Sequence, residues 1–462
     1  MRRIREAGKL VVAFCVNQAD AAVLLLPKKV SRMASRLGHR WLRVLPMVFI
    51  TYSLAYLDRS NYGFGAAAGL AATLNISKDR AALLGALFFL GYLLFQVPGT
   101  ALARRFGARM LVAVALMAWG VLAAMTGVIH QFWLLAVDRL LLGVAESFIL
   151  PAMLMLLMQW FTRKERSRAN SVLILGNPVT VLWMSVASGY LIRNFGWQKT
   201  FILEGLPSMV WSIVWLCLIR DRPEEAAWLP APECTALREQ LNSEPCQLPR
   251  TTGAMEALRH PSVILLCIQY FFWSFSMYGF VLWLPTIIRR DASDMGTTGL
   301  LSAVPYAVAI GGMLVNSYFA DHSTVRHKFV WPFLCVAGVA FLGCFATEAS
   351  GFKANFLCLI LACSAMYAPY GPFFASIPEL VPANIAGEIT AYINSSGALG
   401  GFFGTWLIGV ANAHVSIDRG GFLLMAAALL LSSLIPKCAG ALSAARISQA
   451  YSEKRDATAD PP

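Results

Sequence analysis

Apolar runs of about 20 residues recur along this chain of 462 residues, from Val44 to the 430s. A run of that length is what a helix needs to cross a bilayer. Charged residues make up only 14% of the chain, whereas soluble proteins carry roughly 25%, and the mean hydropathy is +0.61. The sequence therefore predicts an all-α polytopic membrane protein.

The apolar runs define twelve predicted transmembrane helices in two bundles of six. About 40 polar residues, from Asp221 to His260, separate the sixth run from the seventh. This shift in composition predicts a cytoplasmic extension (1–43), a six-helix bundle (44–220), a cytoplasmic central loop (221–260), a second six-helix bundle (261–437) and a cytoplasmic tail (438–462). The predicted spans are 44–66, 82–102, 109–128, 132–157, 168–190, 200–220, 261–288, 298–319, 328–347, 354–377, 387–411 and 420–437.

Lysine and arginine are unevenly distributed over the predicted loops. With the N-terminus inside, about 28 of them lie on the cytoplasmic side, about 8 lie outside, and two, Arg59 and Arg139, lie within the membrane. Such a bias towards the cytoplasmic side is typical of membrane proteins. It predicts cytoplasmic termini in a cell inner membrane, and it accounts for the formal charge of +13 without nucleic acid as a partner.

Cysteine usage predicts neither disulfides nor a metal site. The ten cysteines lie mostly in apolar segments and form no CxxC pair or metal-ligand spacing. Cysteines placed in this way behave as small hydrophobic residues. Residues 1–40 contain short apolar stretches broken by Asn17, Gln18 and Asp20, a pattern too interrupted for a signal peptide or a membrane span.

Two adjacent charges, Asp58 and Arg59, lie near the middle of the first predicted span, in LAYLDRSNYGF. A charge at that depth costs a few kcal/mol or more, so it usually has a function. Adjacent helical residues point about 100° apart, so the two charges are expected to meet different partners. The alternative interpretation is a structural pair that ties the first helix to a neighbour.

The fourth predicted span adds Arg139 and Glu146, which share one helical face and lie about 10 Å apart along the axis. A low-dielectric site favours the proton-bound form of a carboxyl group, whereas a guanidinium stays charged and can bind a carboxylate bidentately. Together with Asp58 and Arg59, these residues predict the movement of an organic anion with protons. An internal salt bridge between Arg139 and Glu146 is an alternative that does not exclude this role.

Other polar side chains stand at positions in the spans where apolar residues are expected. Hydroxyl and amide groups of this kind suit a polyhydroxylated ligand, although each one singly is more often a helix–helix hydrogen bond. Besides Arg59 and Arg139, we assign to substrate binding Tyr92, Gln96, Asn177, Tyr278, Tyr370, Asn394 and Ser395.

The two halves also carry similar basic loops, ALARRFGARM (101–110) after the second span and FADHSTVRHK (319–328) after the eighth. Two six-helix halves related by an internal repeat are the arrangement of a secondary transporter, with its site near the midplane between the halves. Coincidence between two basic loops is the alternative. To gating we assign Arg104, Arg105, Gly107, Arg109 and Asp321.

Residues 41–437 resemble the major facilitator superfamily and, more narrowly, the anion:cation symporter family. The matching stretches are YLDRSNYGF, FFLGYLLFQVPG, RLLLGVAES, WFTRKERSRAN, ILEGLPS, RDRPEEAAWL and INSSGALGGFFG. The resemblance implies that Asp58 and Glu146 exchange protons, that Arg59 holds the substrate carboxylate and that Arg139 supports it. In GTALARRFGAR, Thr100 and Arg104 replace the superfamily's usual glycine and aspartate, so the usual charge latch of that aspartate is not implied.

The resemblance implies proton-coupled import of a small organic anion by alternating access, in a monomer with no cofactor other than the proton gradient. FITYSLAYLDRSNYGF and PELVPANIAGE look most like transporters of 2-ketogluconate, which is the first expected substrate. Tartrate, hexuronate and an aromatic acid such as phthalate are alternatives. A membrane-embedded transferase and a sensor or channel are alternatives of other classes. The six scattered histidines disfavour the transferase, so we expect no enzymatic activity.

Overall fold

The computed structural model describes residues 39–243, 261–323, 326–347, 351–380, 386–414 and 420–435. Within these ranges the regular structure is helical throughout, without a β-strand. In these described ranges, twelve helical passes lie at the twelve predicted positions. They are α1 (His39–Ala67), α2 (Lys78–Phe106), α3 (Ala108–Thr126), α4 (Phe132–Ser147 and Ile149–Trp160), α5 and α6 (both within Arg163–Leu218), α7 (Pro261–Arg289), α8 (Met295–Asp321), α9 (Trp331–Thr347), α10 (Phe352–Tyr367 and Tyr370–Leu380), α11 (Ala386–His414) and α12 (Gly420–Ile435).

Length and hydropathy support a membrane location for these helices. In the described part of the chain, seven helices are by themselves long and apolar enough to cross a bilayer. One of them, Val172–Leu218, contains both α5 and α6, which Gly196 separates. At Gly196 the backbone has φ 80° and ψ 165°, a conformation that glycine adopts without strain. This reversal makes α5 and α6 neighbours.

The first helix begins earlier than predicted, at His39 instead of residue 44. Its first turns are basic, but they contact other parts of the protein. The Arg40 guanidinium lies 2.8 Å from a Glu165 carboxylate oxygen and donates to the Trp160 carbonyl oxygen. Arg43 lies 5.2 Å from the ring centre of Trp228. These contacts extend the helix into the segment that hydropathy alone assigned to the extension.

The central segment is also more ordered than the loop that composition predicts. It contains a 3₁₀ turn, Pro223–Glu225, and a helix, Ala231–Ser243. Trp228 stacks on Trp160 of α4, with ring centres 5.3 Å apart, and Leu229 is buried. A few apolar side chains therefore attach this segment to the bundle. Most of the predicted extension, residues 244–260 and the predicted tail lie outside the described residues.

Helices of the two halves are in direct contact. We call the side of the bundle at which α1 begins the proximal side, and the opposite side the distal side. Between the halves, α2 packs on α11, the α5–α6 helix packs on α8, and α1 packs on α7. On the distal side Gly189 of α5 lies against Gly299 of α8, and Arg193 lies 3.7 Å from Asp294. The distal side is thus closed by contacts between the halves.

Candidate functional site

The centre of the candidate site is the Arg59 side chain of α1. Its Nη2 donates to Oε2 of Glu146 on α4 at 3.1 Å, and its Nη1 donates to the Tyr278 hydroxyl of α7 at 3.4 Å. Both side chains of this ion pair are buried, with 8% and 0% exposed. The Arg59 guanidinium therefore joins a carboxylate of the first half to a hydroxyl of the second.

Aromatic rings surround the same guanidinium. Its central carbon lies 5.4 Å from the ring centre of Tyr56, 5.2 Å from that of Phe88 and 4.7 Å from that of Tyr92. Ring faces attract a cation and exclude water from it. Arg59 Nε is buried without a hydrogen-bond partner among the described residues, so part of the donor capacity of this cation is unused.

Arg139, the second predicted arginine, lies beside this centre and does not pair with Glu146. Its guanidinium carbon is 4.7 Å from the ring centre of Tyr62 and 5.7 Å from that of Phe88. Its Nε and Nη1 are buried and have no hydrogen-bond partner in the described ranges. Because Glu146 faces Arg59 on α1, the alternative of an internal Arg139–Glu146 salt bridge is not observed.

Asp58 belongs to a second polar cluster, which contains a residue that the sequence analysis missed. Asn61, one turn further along α1, donates from Nδ2 to Asp58 Oδ1 at 3.4 Å and to Glu204 Oε2 at 3.1 Å. Glu204 of α6 also accepts a hydrogen bond from the Ser188 hydroxyl of α5. Glu204 was visible as an acidic residue in an apolar span, within ILEGLPS, yet only the tertiary structure links it to Asp58.

The remaining predicted binding residues divide into two groups. Tyr92 and Asn394 interact with each other, and Ser395 donates to Gln96 at 3.2 Å, so α2 and α11 meet through predicted residues. Elsewhere, the Tyr370 hydroxyl lies 2.8 Å from that of Tyr270. Asn177 is buried beside Tyr52, and its Oδ1 has no hydrogen-bond partner among the described residues. Tyr370 and Asn177 therefore lie beside tyrosines, and neither is among the hydrogen-bond partners of Arg59.

The predicted gating residues occupy the proximal side. The Arg109 backbone N–H donates to Asp221 Oδ1 at 2.8 Å, and its side chain donates through Nε and Nη2 to the Leu216 carbonyl oxygen. Gly107 has φ 80° and adjoins the Asp221 carboxylate, while Arg105 is exposed. Asp221, just after α6, therefore supplies an acidic group beside this loop. The side chains of Arg104 and Asp321 lie outside the described set.

The buried charges of the site include a guanidinium that a carboxylate of the protein already binds. Among the described residues, no group of three or more His, Cys, Asp or Glu side chains is arranged to hold a metal ion. Arg59 is already bound to a carboxylate, that of Glu146. Protonation of Glu146 would remove the charge that holds the pair together, leaving a desolvated guanidinium for another carboxylate.

Sequence comparison finds transporters with related chains. A tartrate transporter, so named in Agrobacterium vitis, is 30% identical over 405 residues, covering 85% of this chain and 92% of that protein. A quinolone resistance transporter of Acinetobacter baumannii is 29% identical over 412 residues, with coverage of 85% and 92%. A hexuronate transporter of Bacillus subtilis is 21% identical over 406 residues, with coverage of 85% and 93%.

Structure and family comparisons agree with this result. The inward-open conformation of the xylose transporter from Escherichia coli superposes with a TM-score of 0.68 at 13% identity, covering 84% of this chain and 95% of that one. The model of the Major Facilitator Superfamily matches residues 48–405. The chain therefore belongs to the major facilitator superfamily, as its motifs predicted, and is a multi-pass membrane carrier and not an enzyme.

Proposed function

We propose that this protein is a proton-coupled symporter that imports an organic carboxylate across the cell inner membrane. The observation that carries the proposal is the buried ion pair between Arg59 and Glu146, which reaches the second half through Tyr278. A sugar acid is the proposed substrate class, with 2-ketogluconate as the first candidate. Tartrate, hexuronate and an aromatic acid such as phthalate are the alternatives within the same class.

The chemistry of the site supports an anionic, hydroxylated substrate. In this proposal the substrate carboxylate takes the place of the Glu146 carboxylate on Arg59, and the amide and hydroxyl groups of α2 and α11 contact its hydroxyl groups. Relatives named for tartrate and hexuronate transport support an acid of this kind. They leave the individual acid to experiment.

The proposed cycle is alternating access with the proximal side in the cytoplasm. In the outward-open state, protons bind Asp58 and Glu146, which frees Arg59 for the incoming carboxylate. With these charges neutralised, the two halves close over the substrate and reopen on the other side. In the cytoplasm the higher pH removes the protons, Glu146 returns to Arg59, and the anion leaves.

Export of a drug is the second candidate, because one relative is named for quinolone resistance. The direction of transport separates the two candidates. An exporter lowers the internal concentration of its substrate when protons flow inwards. A symporter of the proposed kind raises it.

The deciding experiment uses purified protein in liposomes with an imposed inward proton gradient. Labelled 2-ketogluconate is supplied outside, and tartrate, hexuronate and phthalate compete with it. We expect saturable accumulation that a protonophore abolishes. Glu146→Gln is expected to lose gradient-driven accumulation while it retains exchange of internal for external substrate. Full gradient-driven uptake by Glu146→Gln would contradict the coupling role.

A further inference from the structure

Glu204 is a buried carboxyl group for which the cycle described above has no role. It is 5% exposed, and its two oxygens accept hydrogen bonds from Ser188 and Asn61. Both donors are neutral. Burying an ionised carboxylate without a cationic partner is costly, so these surroundings favour a Glu204 that holds a proton.

Asn61 connects Glu204 to Asp58 through a single amide group. The Nδ2 atom has two hydrogens, and it contacts both Asp58 Oδ1 and Glu204 Oε2. The Asp58 Oδ2 and Asn61 Oδ1 atoms are buried without partners in the part of the chain that the structure describes. Two carboxylates held this close repel each other when both are ionised. Loss of a proton from one therefore favours retention of a proton by the other.

The position of Glu204 along the membrane differs from that of Asp58. Glu204 lies seven residues after Trp197, the distal start of α6, which is about 10 Å of helix. Asp58 lies nine residues before Ala67, the distal end of α1, which is about 14 Å. Glu204 is thus displaced from Asp58 towards the distal side.

A cavity of about 360 Å³ lies on the distal side, in the direction in which Glu204 is displaced from Asp58. Its lining includes Ala67 at the end of α1, Ile192 of α5 and Trp197 of α6. Ile192 is one turn beyond Ser188, the hydroxyl partner of Glu204. Ser188 therefore places Glu204 one helical turn of α5 away from a residue that lines this solvent-facing cavity.

We propose that Glu204 is a third proton-carrying residue of the transport cycle, placed between the distal cavity and Asp58. This proposal rests on the proton-coupled function. The proton comes from distal water and resides on Glu204. Its presence on Glu204 allows Asp58 to ionise. Net transfer ends when the carboxyl groups release protons to the proximal side. At the Asp58 end of this pathway the neighbouring charged groups are Glu146 and Arg139, and at its distal end Arg193, Arg289 and Asp294 line the cavity. On α3, the residues against the Glu204 turn are the neutral Gly120 and Ala124.

The test compares Glu204→Gln, which keeps the size and hydrogen-bonding capacity of the side chain, with Glu204→Asp, which keeps the titratable group. The probe is 2-ketogluconate, or the acid of the competition panel that the wild type transports. For Glu204→Gln we expect at least tenfold slower gradient-driven uptake, exchange within twofold of wild type, and fewer protons taken up per substrate molecule. Glu204→Asp should restore proton uptake and shift the pH profile.

A measurement that does not depend on transport distinguishes the loss of a proton-binding group from a general loss of activity. Infrared difference titration of the purified protein should show the loss of one protonated carboxyl signal in Glu204→Gln. A wild-type pH profile, proton count and infrared signal in this variant would overturn the role of Glu204 alone. Wild-type uptake that ignores the proton gradient would overturn the proposed function, and this role with it.

Discussion

At the residue scale, the central feature is that Arg59 is bound by the protein itself. Glu146 binds one side of its guanidinium, and the rings of Tyr56, Phe88 and Tyr92 lie against it. A guanidinium in such a site has lost its water and depends on an anion. In the proposed cycle this guanidinium accepts a substrate carboxylate only when Glu146 is neutral, which would link binding to protonation.

Arg59→Ala is predicted to abolish carboxylate binding. Removing one partner of a buried charge pair costs about 2–5 kcal/mol, which corresponds to a loss of affinity of roughly 30-fold or more. Isothermal titration with the transported acid measures the change. The matched control is Arg238→Ala, because Arg238 is exposed and makes only a surface pair with Glu224. Equal affinity of wild type and Arg59→Ala would remove Arg59 from the site.

At the scale of helices, the site depends on the close approach of α2 and α4. Gly143 of α4 lies against the Phe88 backbone, and Gly91 of α2 lies against the Leu140 backbone. A Cβ atom at either glycine would meet a carbonyl oxygen. These contacts position Phe88 and Tyr92 over Arg59, so the packing of two helices determines the surroundings of the charge.

Gly143→Ala is therefore expected to destabilise the protein by about 1–3 kcal/mol, the usual cost of overpacking a tight contact. A thermal melt of the purified protein in detergent reports the effect as a lower Tm. Gly311→Ala is the matched control in a helix, since no atom other than the adjoining residues and backbone of its own helix lies within 4 Å of the position of its added Cβ. Equal melting temperatures for the two variants would show that α2 and α4 can separate without cost.

The distal closure includes an ion pair between the halves, Arg193 with Asp294. The Thr297 backbone N–H, which Asp294 caps at the start of α8, holds the pKa of this carboxyl below its ordinary value. The ionised form, and with it the pair, is therefore present at neutral pH and is lost only under acid conditions below the ordinary aspartate range. Transport that varies near neutral pH must depend on other groups.

Arg193→Ala is predicted to shift the protein towards the state that is open on the distal side. Exposed ion pairs are weak, so the expected change in population is a few-fold at most. Spin labels at positions 199 and 291, both exposed on the distal side, would show a larger share of long distances. Arg238→Ala again serves as the control. An unchanged distance distribution would mean that the glycine contacts close this side alone.

At the scale of the whole molecule, the two halves meet through polar contacts that a substrate could replace. Ser395 bonds to Gln96, and Tyr278 bonds to Arg59. A ligand that binds between the halves adds its binding free energy to the stability of the folded protein. Binding and folding are thus linked through the same interface.

The transported acid is accordingly predicted to raise the Tm of the wild-type protein. At a concentration 100 times the Kd, the added stability is about 2.7 kcal/mol. Arg59→Ala should lose this stabilisation while keeping a folded melt, and Arg238→Ala should retain it. Equal shifts in all three proteins would place the ligand away from Arg59.

Much of this architecture follows from local chemistry. Each helical pass requires a long apolar run, so most of the spans were predicted to within a few residues. The exceptions have tertiary causes: Arg40 and Arg43 extend α1 through contacts with Glu165 and Trp228. Likewise, the helix Ala231–Ser243 was missed, because its polar composition is typical of a loop. The contacts that attach this segment to the bundle are made by Trp228 and Leu229, just before the helix.

The sequence by itself determined that the protein is a two-part membrane bundle with Asp58, Arg59, Arg139 and Glu146 inside it, because apolar length and misplaced charges are properties of short stretches. Only the tertiary structure decided which charges meet. Glu146 pairs with Arg59 across helices, and Asn61 joins Asp58 to Glu204. Such pairing depends on the rotation and separation of helices distant in sequence, which packing sets and hydropathy does not encode.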